Sequence, residues 1–580
     1  MMPVSFNGHA GWLHDAPGAV GVVLCGAQGY EELCTQRGWY ELAQSLAARG
    51  FPTLRFDYAG CGDSNGSDMD PARVAAWQDS VAQAVAFMRQ TLGLRKIVLA
   101  GLRLGALLAA QHACTDPAIA GLALLGAPMS GRTYVREMQI LASVVGVPPE
   151  DAAPWPPVED GFELGGFLFS DATMRGLANL PRPAALLQQL EDRPCLVLAK
   201  GQALAAEAAR GPARHVAAPF EGYDGFMVDC LFSKVPNADW QLLGDWLVQH
   251  WPPVPDAAVV PCTVAAAEIS GPHYCERPAQ FGAGHALAGI LCTPAKRPAK
   301  RVFIIANTGS NHHIGWGRGT VELARRLAGR GMATLRMDLA GLGNSGRLVG
   351  HADPPLYTLD AVADITAALD WLGTQGFGRF GMIGTCSGAY LALHASRADA
   401  RLEQAVMINL NRFFWPDDAS IEHAVRNFYR SNRTYARKAA DPRTLLRLVK
   451  GEIAIGGIAR TLASRAGRKI LSLYRKLADH VSLPDFRTNA PRQLLGQLSQ
   501  SGARLLFVYG SHDGGLDEIE QHFGSPKVLQ KLRGVFIAKV PDVDHNFSPA
   551  WSRQALFAIV ESFLAEGEAA DTIDAPLPQP

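Results

Sequence analysis

The sequence repeats itself. Glu41 opens ELAQSLAARGFPTLRFDYAGCGDSNG, and Glu322, 281 positions later (322 − 41), opens ELARRLAGRGMATLRMDLAGLGNSGR. The register holds without a gap through Asp57/Asp338, Gly60/Gly341, Gly62/Gly343 and Ser64/Ser345. Self-similarity at one offset means that one supersecondary plan is used twice. Both copies parse alike. A short apolar run, GVVLC from Gly21 or VFIIA from Val302, predicts a buried strand, and a glycine-bearing loop follows it. A helix with apolar three- and four-residue spacing then ends at Gly50 or Gly331, and a second strand, PTLRFD or ATLRMD, runs into a glycine-rich turn. Another helix leads to a third strand, KIVLAG from Lys96 or RFGMIG from Arg379. Strands alternating with helices predict an α/β fold: two tandem domains, each a mostly parallel sheet with helices on both faces.

A chain of 580 residues exceeds one hydrophobic core, which agrees with two domains. The proline-rich stretch HWPPVPDAAVVP, His250 to Pro261, reads as a linker. The expected division is a first domain at 1–250, a linker at 251–275, a second domain at 276–566 and a disordered tail at 567–580. FGAGHALAGILCTP predicts a hairpin before the first parallel strand of the second domain. Lys+Arg and Asp+Glu both total 54, so net charge gives no reason to expect a nucleic-acid partner. Residues 1–20 lack a basic start followed by an apolar run, and no apolar stretch approaches the roughly 18 residues of a membrane span, so a cytoplasmic protein is expected. The ten cysteines show no paired or metal-ligand spacing, and the sequence implies no metal and no cofactor. Nine lie between Cys25 and Cys292; Cys386 stands alone beyond them.

In the second copy the third strand ends in Gly384-Thr385-Cys386-Ser387-Gly388, followed by the helical run AYLALHAS. A glycine two residues either side of a nucleophile, between strand and helix, is the nucleophile elbow: the turn is sharp and admits only small flanks. Ser387, flanked two residues away by Thr385 and Ala389, fits that pattern less well than Cys386. A helix N-terminus and a neighbouring imidazole both favour the thiolate. The alternative is a buried cysteine acting as a small hydrophobe.

These motifs resemble the α/β-hydrolase superfamily, and its serine-aminopeptidase-like branch in particular, over nearly the whole chain, twice. The resemblance implies an acid and a histidine following the nucleophile in chain order. ARLLFVYG leads to Ser511-His512-Asp513, and GVFIAKV leads to Pro541-Asp542-Val543-Asp544-His545-Asn546-Phe547. Cys386, Asp513 and His545 are thus the expected catalytic residues, with Asp517 a rival acid. The amide of Ser387 and that of Thr308 or Gly309, in the loop after the first strand, are the expected oxyanion donors. His312 and His313 follow in that loop; a metal would need further ligands, so pocket lining or plain surface is expected.

The first copy keeps the elbow glycines in Gly101-Leu102-Arg103-Leu104-Gly105 but puts arginine at the nucleophile position. CLVLAK runs into GQALAAEAARG without an aspartate, and PFEGYDGFMVDCLFSKVP holds no histidine. The GLRLGA elbow and the GYEELCTQRGW loop resemble exosortase-system-associated hydrolases. This copy is expected to be structural, or to bind a carboxylate or phosphate through Arg103.

Between AVMINL and ARLLFVYG lie about ninety residues where the fold needs only a short connection. The expected lid, about 411–497, is basic: 17 Lys/Arg against seven Asp/Glu between Asn411 and Arg492. Its apolar stripe predicts amphipathic helices with a basic face, or a cap attracting an anionic acyl carrier, a phosphopantetheine group or a membrane surface. The expected function is cleavage or transfer of ester or thioester acyl groups through an acyl-enzyme on Cys386: an esterase, thioesterase or acyltransferase. The alternatives are a non-catalytic scaffold or binding protein in an envelope or polysaccharide pathway, and a dienelactone-type lactone hydrolase.

Overall fold

The computed structural model describes all residues except 150, 151, 191, 210–213, 254–266, 353, 417–489 and 570–580. In the first domain, strands β1 (Met2–Phe6), β2 (His9–His14), β3 (Val20–Cys25), β4 (Thr53–Phe56), β5 (Lys96–Leu102) and β6 (Ile119–Leu125) are followed by a separate hairpin, β7 (Gly161–Leu164) and β8 (Phe167–Ser170). β9 (Cys195–Ala199) and β10 (His215–Pro219) complete the main sheet, whose order is β1-β2-β4-β3-β5-β6-β9-β10. The second domain contributes β11 (Ile269–Ser270), β12 (Tyr274–Phe281), β13 (Leu287–Pro294), β14 (Arg301–Ile305), β15 (Ala333–Asp338), β16 (Arg379–Thr385), β17 (Leu402–Ile408), β18 (Arg504–Gly510) and β19 (Val535–Val540). Its order, β11-β12-β13-β15-β14-β16-β17-β18-β19, repeats that of the first sheet with one added edge strand. In both, only the strands before the first parallel one are antiparallel.

Alternation along the strands fills both faces of each sheet. Ile97 and Leu99 of β5 face a cluster with Trp77 and Met88, whereas Val98, Ala100 and Leu102 face Leu42, Leu46 and Trp246. Val302 and Ile304 of β14 likewise part from Phe303 and Ile305.

Three boundaries differ from expectation. The second sheet begins at Ile269, inside the stretch assigned to the linker, and Glu276 lies in the middle of β12 rather than at a domain start. A two-residue strand has no periodicity to read. The last helix, Ala550–Ala569, runs past Glu566. Most of the expected lid lies outside the described residues, but its flanks belong to the domain proper: Leu494, Leu495 and Leu498 of the helix Ala490–Gln500 join the core with Phe413.

The two domains meet across a pseudo-two-fold axis. Arg55 Nη2 donates to Asn344 Oδ1 at 2.9 Å, and its counterpart Arg336 donates from Nη1 to Asp63 Oδ1, the counterpart of Asn344, at 2.6 Å. Arg37 Nη1 donates to the Ser345 carbonyl at 3.0 Å, and its counterpart Arg318 donates from Nη2 to the Ser64 carbonyl at 2.5 Å. Each pair obeys the 281-residue offset. Reciprocal contact of this kind is the mark of an isologous interface, here made within one chain.

Candidate active site

Cys386 sits between β16 and the helix Ser387–Ala398 with φ 57° and ψ −114°. That is a strained conformation for a residue with a side chain. Close packing imposes it: a Cβ on Gly384 would stand 2.0 Å from the Gly388 carbonyl oxygen, and one on Gly388 would stand 2.6 Å from that of Asn307. The bend is tied down by Cys386 N donating to Ile408 O at 2.9 Å, while Cys386 O accepts from Ala389 N and Tyr390 N.

β18 and β19 deliver the other two residues. Asp513 follows β18, and its Oδ1 accepts from Gly515 N at 2.8 Å, leaving Oδ2 2.5 Å from His545 Nδ1. The loop after β19 brings His545 in, and Asn409 Nδ2 holds the His545 carbonyl at 2.7 Å. His545 lies in turn within hydrogen-bonding reach of the Cys386 thiol, and each raises the other's tendency to carry charge. The three expected residues are therefore brought together, Asp513 bonded to His545 and His545 beside the sulfur. Asp513 and His545 are buried, and Cys386 is part-buried. Asp517, in the first turn of the next helix, does not take the place beside His545.

Two further side chains reach the sulfur. Tyr357 Oη lies 3.2 Å from Cys386 Sγ, its ring stacked on Trp415 at 4.3 Å between centroids. Asn411 Nδ2 lies 3.8 Å from Sγ and 3.3 Å from His545 Nε2. Burial opposes a charged sulfur, but the charge of His545 and hydrogen bonds from His545 and Tyr357 outweigh it, so the thiol titrates below its ordinary 9.0. Burial likewise opposes protonation of His545; the charges of Asp513 and Cys386 prevail and hold it well above its ordinary 6.5. Both shifts favour the charged forms, thiolate and imidazolium. Sequence reasoning did not find Tyr357 or Asn411. Asn411 did carry a signal, standing just past the strand AVMINL at the sheet end where the other site residues emerge.

The oxyanion loop separates its two candidate donors. Gly309 N donates to Ser387 Oγ at 2.9 Å, so this amide is taken and the Ser387 hydroxyl is turned to the loop. Among the described residues no acceptor meets the amides of Thr308 and Ser387, which stand on either side of the bend. Ser387 thus braces the loop rather than facing His545.

His312 and His313 are buried, not at the surface as one expectation had it. His313 bridges the domains, Nδ1 2.8 Å from Asp338 Oδ2 and Nε2 2.7 Å from Asp63 Oδ2. His312 borders an interdomain cavity of about 30 Å³ that Asp57 and Glu32 also line. The sequence placed both histidines in a loop of one domain and had no means of showing the other domain's carboxylate. Among the described residues, no cluster of three or more His, Cys, Asp or Glu is arranged to hold a metal ion.

The first domain keeps the bend without the chemistry. Arg103 has φ 56° and ψ −115°, within a degree of Cys386. Its guanidinium is engaged: Nε to Glu31 at 2.8 Å, Nη2 to Glu137 at 2.6 Å and Nη1 to the Gly126 carbonyl. The carboxylates it holds are the domain's own.

Sequence models place both halves in one family. The serine aminopeptidase, S33 model matches residues 21–159, and the alpha/beta hydrolase family model matches residues 302–559. The chain belongs to the α/β-hydrolases, as two such domains in tandem. Among solved structures it is similar to Est1E from Butyrivibrio proteoclasticus bound to ferulic acid, at 14% identity over 43% of this chain and 98% of that one, with a TM-score of 0.31. A cold-adapted esterase from an Arctic intertidal metagenomic library shows 14% identity over 51% and 97%, with a TM-score of 0.29. XC6422 from Xanthomonas campestris, an a/b serine hydrolase without a lid, shows 11% over 53% and 99%, with a TM-score of 0.28. No protein of curated function matches the chain in sequence.

Proposed function

We propose that the second domain cleaves or transfers acyl groups of esters or thioesters through a thioester on Cys386. The observation that carries this reading is the convergence of Cys386, His545 and Asp513, with a cysteine at the elbow. The Cys386 thiolate attacks the acyl carbonyl, and the charge on its oxygen is met by the amides of Thr308 and Ser387. The tetrahedral species collapses as imidazolium His545 gives its proton to the departing alcohol or thiol. Neutral His545 then takes a proton from water, or from an acceptor alcohol or amine, as that oxygen or nitrogen attacks the thioester. The second collapse expels the sulfur as thiolate and restores the ion pair. Asp513 holds the imidazole tautomer and balances its charge throughout.

The basic stretch between Asn411 and Arg492 supports an anionic substrate or carrier for this site. Among the described residues no helix is long and apolar enough to cross a membrane. The test is intact-mass analysis of the full chain after incubation with p-nitrophenyl esters and acyl-thioesters, followed by peptide mapping. An acyl adduct on Cys386 that is lost in Cys386→Ala is expected. A folded chain that forms no adduct, and whose Cys386 reacts with iodoacetamide no faster than its other cysteines, would mean a scaffold and overturn the reading.

A further inference from the structure

The loop that carries His545, residues 541–549, is held from both domains. It passes through left-handed conformations at Asp542 (φ 52°) and Phe547 (φ 52°), both side-chain-bearing residues, on either side of the histidine. Inside the second domain, Ser511 Oγ accepts from Asp542 N at 3.0 Å, and Asp544 accepts from Ser548 N and Oγ. Asn409 holds the His545 carbonyl, Asp513 holds its ring and His512 Nε2 lies 3.1 Å from Asp542 Oδ1, and further anchors tie the loop to the first domain. Trp155 Nε1 donates to the Asp542 carbonyl at 2.6 Å. Glu163 Oε1 accepts from Ala550 N at 3.0 Å, capping the helix that follows the loop. Arg553, buried in that helix, donates from Nη1 to the Ser548 carbonyl and from Nη2 to the Gly166 carbonyl at 2.7 Å.

The origin of these anchors is informative. Trp155, Glu163 and Gly166 lie in the insertion between β6 and β9, which holds the hairpin β7–β8. The same connection in the second domain, between β17 and β18, is where the sequence placed a lid. The first domain's insertion therefore reaches the other domain's histidine loop. The loop after β10, which has lost its own histidine, reaches the same site from another side. Leu231 packs against the second domain's core, and a Cβ on Gly309 would stand 3.7 Å from Leu231 Cδ1. Asp229 Oδ1 fixes Leu231 N at 2.7 Å, and Tyr30 Oη donates to Asp229 Oδ2 at 3.3 Å.

We infer that the first domain is a positioning domain for the second: Trp155 and Glu163 hold the His545 loop, and Leu231 backs the oxyanion loop. This rests on the reading of Cys386 and His545 given above. The two loops supply the proton acceptor and an oxyanion amide, and displacement of either by about 1 Å costs rate without touching substrate.

The experiment uses the full chain carrying Trp155→Phe, Glu163→Ala, Glu163→Gln or Leu231→Ala. The rate of Cys386 alkylation by iodoacetamide is followed against pH, with thermal unfolding run in parallel. Trp155→Phe keeps an aromatic ring at a half-buried position while removing the indole donor. In Trp155→Phe and Glu163→Ala the alkylation midpoint is expected to move up toward that of an ordinary thiol. The kcat on any ester turned over falls about tenfold or more, with KM unchanged. Glu163→Gln keeps an acceptor for Ala550 N and is expected to restore the parental profile. Leu231→Ala is expected to lower kcat without moving the alkylation midpoint. Folded Trp155→Phe and Glu163→Ala chains with parental midpoint and kcat would overturn the inference. A parental chain whose Cys386 titrates as an ordinary thiol would instead remove the active-site reading itself, and the inference with it.

Discussion

Arg336 and Asp63 face each other at 2.6 Å across the domain interface, both buried, although 273 positions separate them in sequence. Glu276 takes the other end of the guanidinium at 2.7 Å, and Asp63 also meets His313. Removing the arginine takes one counter-charge from each of two buried carboxylates, leaving Asp63 to His313 and Glu276 to Arg325. Arg336→Met is expected to cost about 3–5 kcal/mol, read by urea unfolding of the full chain. A loss under 1 kcal/mol would mean that water reaches the pair.

His313 adds a pH term to the same interface. Burial lowers its affinity for a proton, but the charges of Asp63 and Asp338 and their hydrogen bonds raise it to about 10, against 6.5 for a free histidine. Glu32, Arg55, Asp57, His312 and Arg336 are further ionisable groups in this cluster. A raised basic group gives stability that is complete below 6.5 and is lost as pH climbs through about 10. The gap in thermal stability between the parent and His313→Gln is therefore expected to be widest near pH 6 and to shrink steadily toward pH 10. A gap that is constant from pH 6 to 10 contradicts a charged His313.

At the candidate nucleophile the sign is opposite. The Cys386 thiol titrates below 9.0 because of His545 and Tyr357, so alkylation is expected to reach half its limiting rate at a pH below 9. Tyr357→Phe removes one donor and should move that midpoint up modestly. His545→Ala should move it up further, because burial is then opposed only by Tyr357. Stopped-flow alkylation across pH 5–10 measures all three.

Ser387→Ala distinguishes a brace from a nucleophile. The change leaves Gly309 N without its acceptor and frees the oxyanion loop, so kcat should fall about 10- to 100-fold, while the acyl adduct still maps to Cys386. Abolished turnover with no adduct on Cys386 would point to the serine.

The repeat, the parallel sheets, the elbow and the order Cys386, Asp513, His545 were legible because each is a local pattern joined to a chain-order rule. The choice between Asp513 and Asp517 was not, since both follow β18 within a few residues, and what parts them is the helix start at Gly515, with Asp513 before it and Asp517 in its first turn. Thr308 and Gly309 parted for a similar reason: one bond from Ser387 Oγ settles the matter, and no spacing encodes it. Tyr357 lies in a loop 29 residues before the cysteine, with no neighbouring motif. His313 was visible as a residue but not as a bridge, because its second partner belongs to a surface of the first domain that sequence patterns describe only as a turn.

The near-identical backbone angles at Arg103 and Cys386 separate two things usually credited together. A chain that no longer needs a reactive atom at this corner still bends there, so the torsional cost at the corner comes from seating a helix hard against a strand end. It is an expense of architecture that chemistry later exploits. Counting glycine-flanked corners would tally two reactive centres in this polypeptide; asking what each corner's side chain meets finds an internal clasp in one and a part-buried sulfur beside an imidazole in the other.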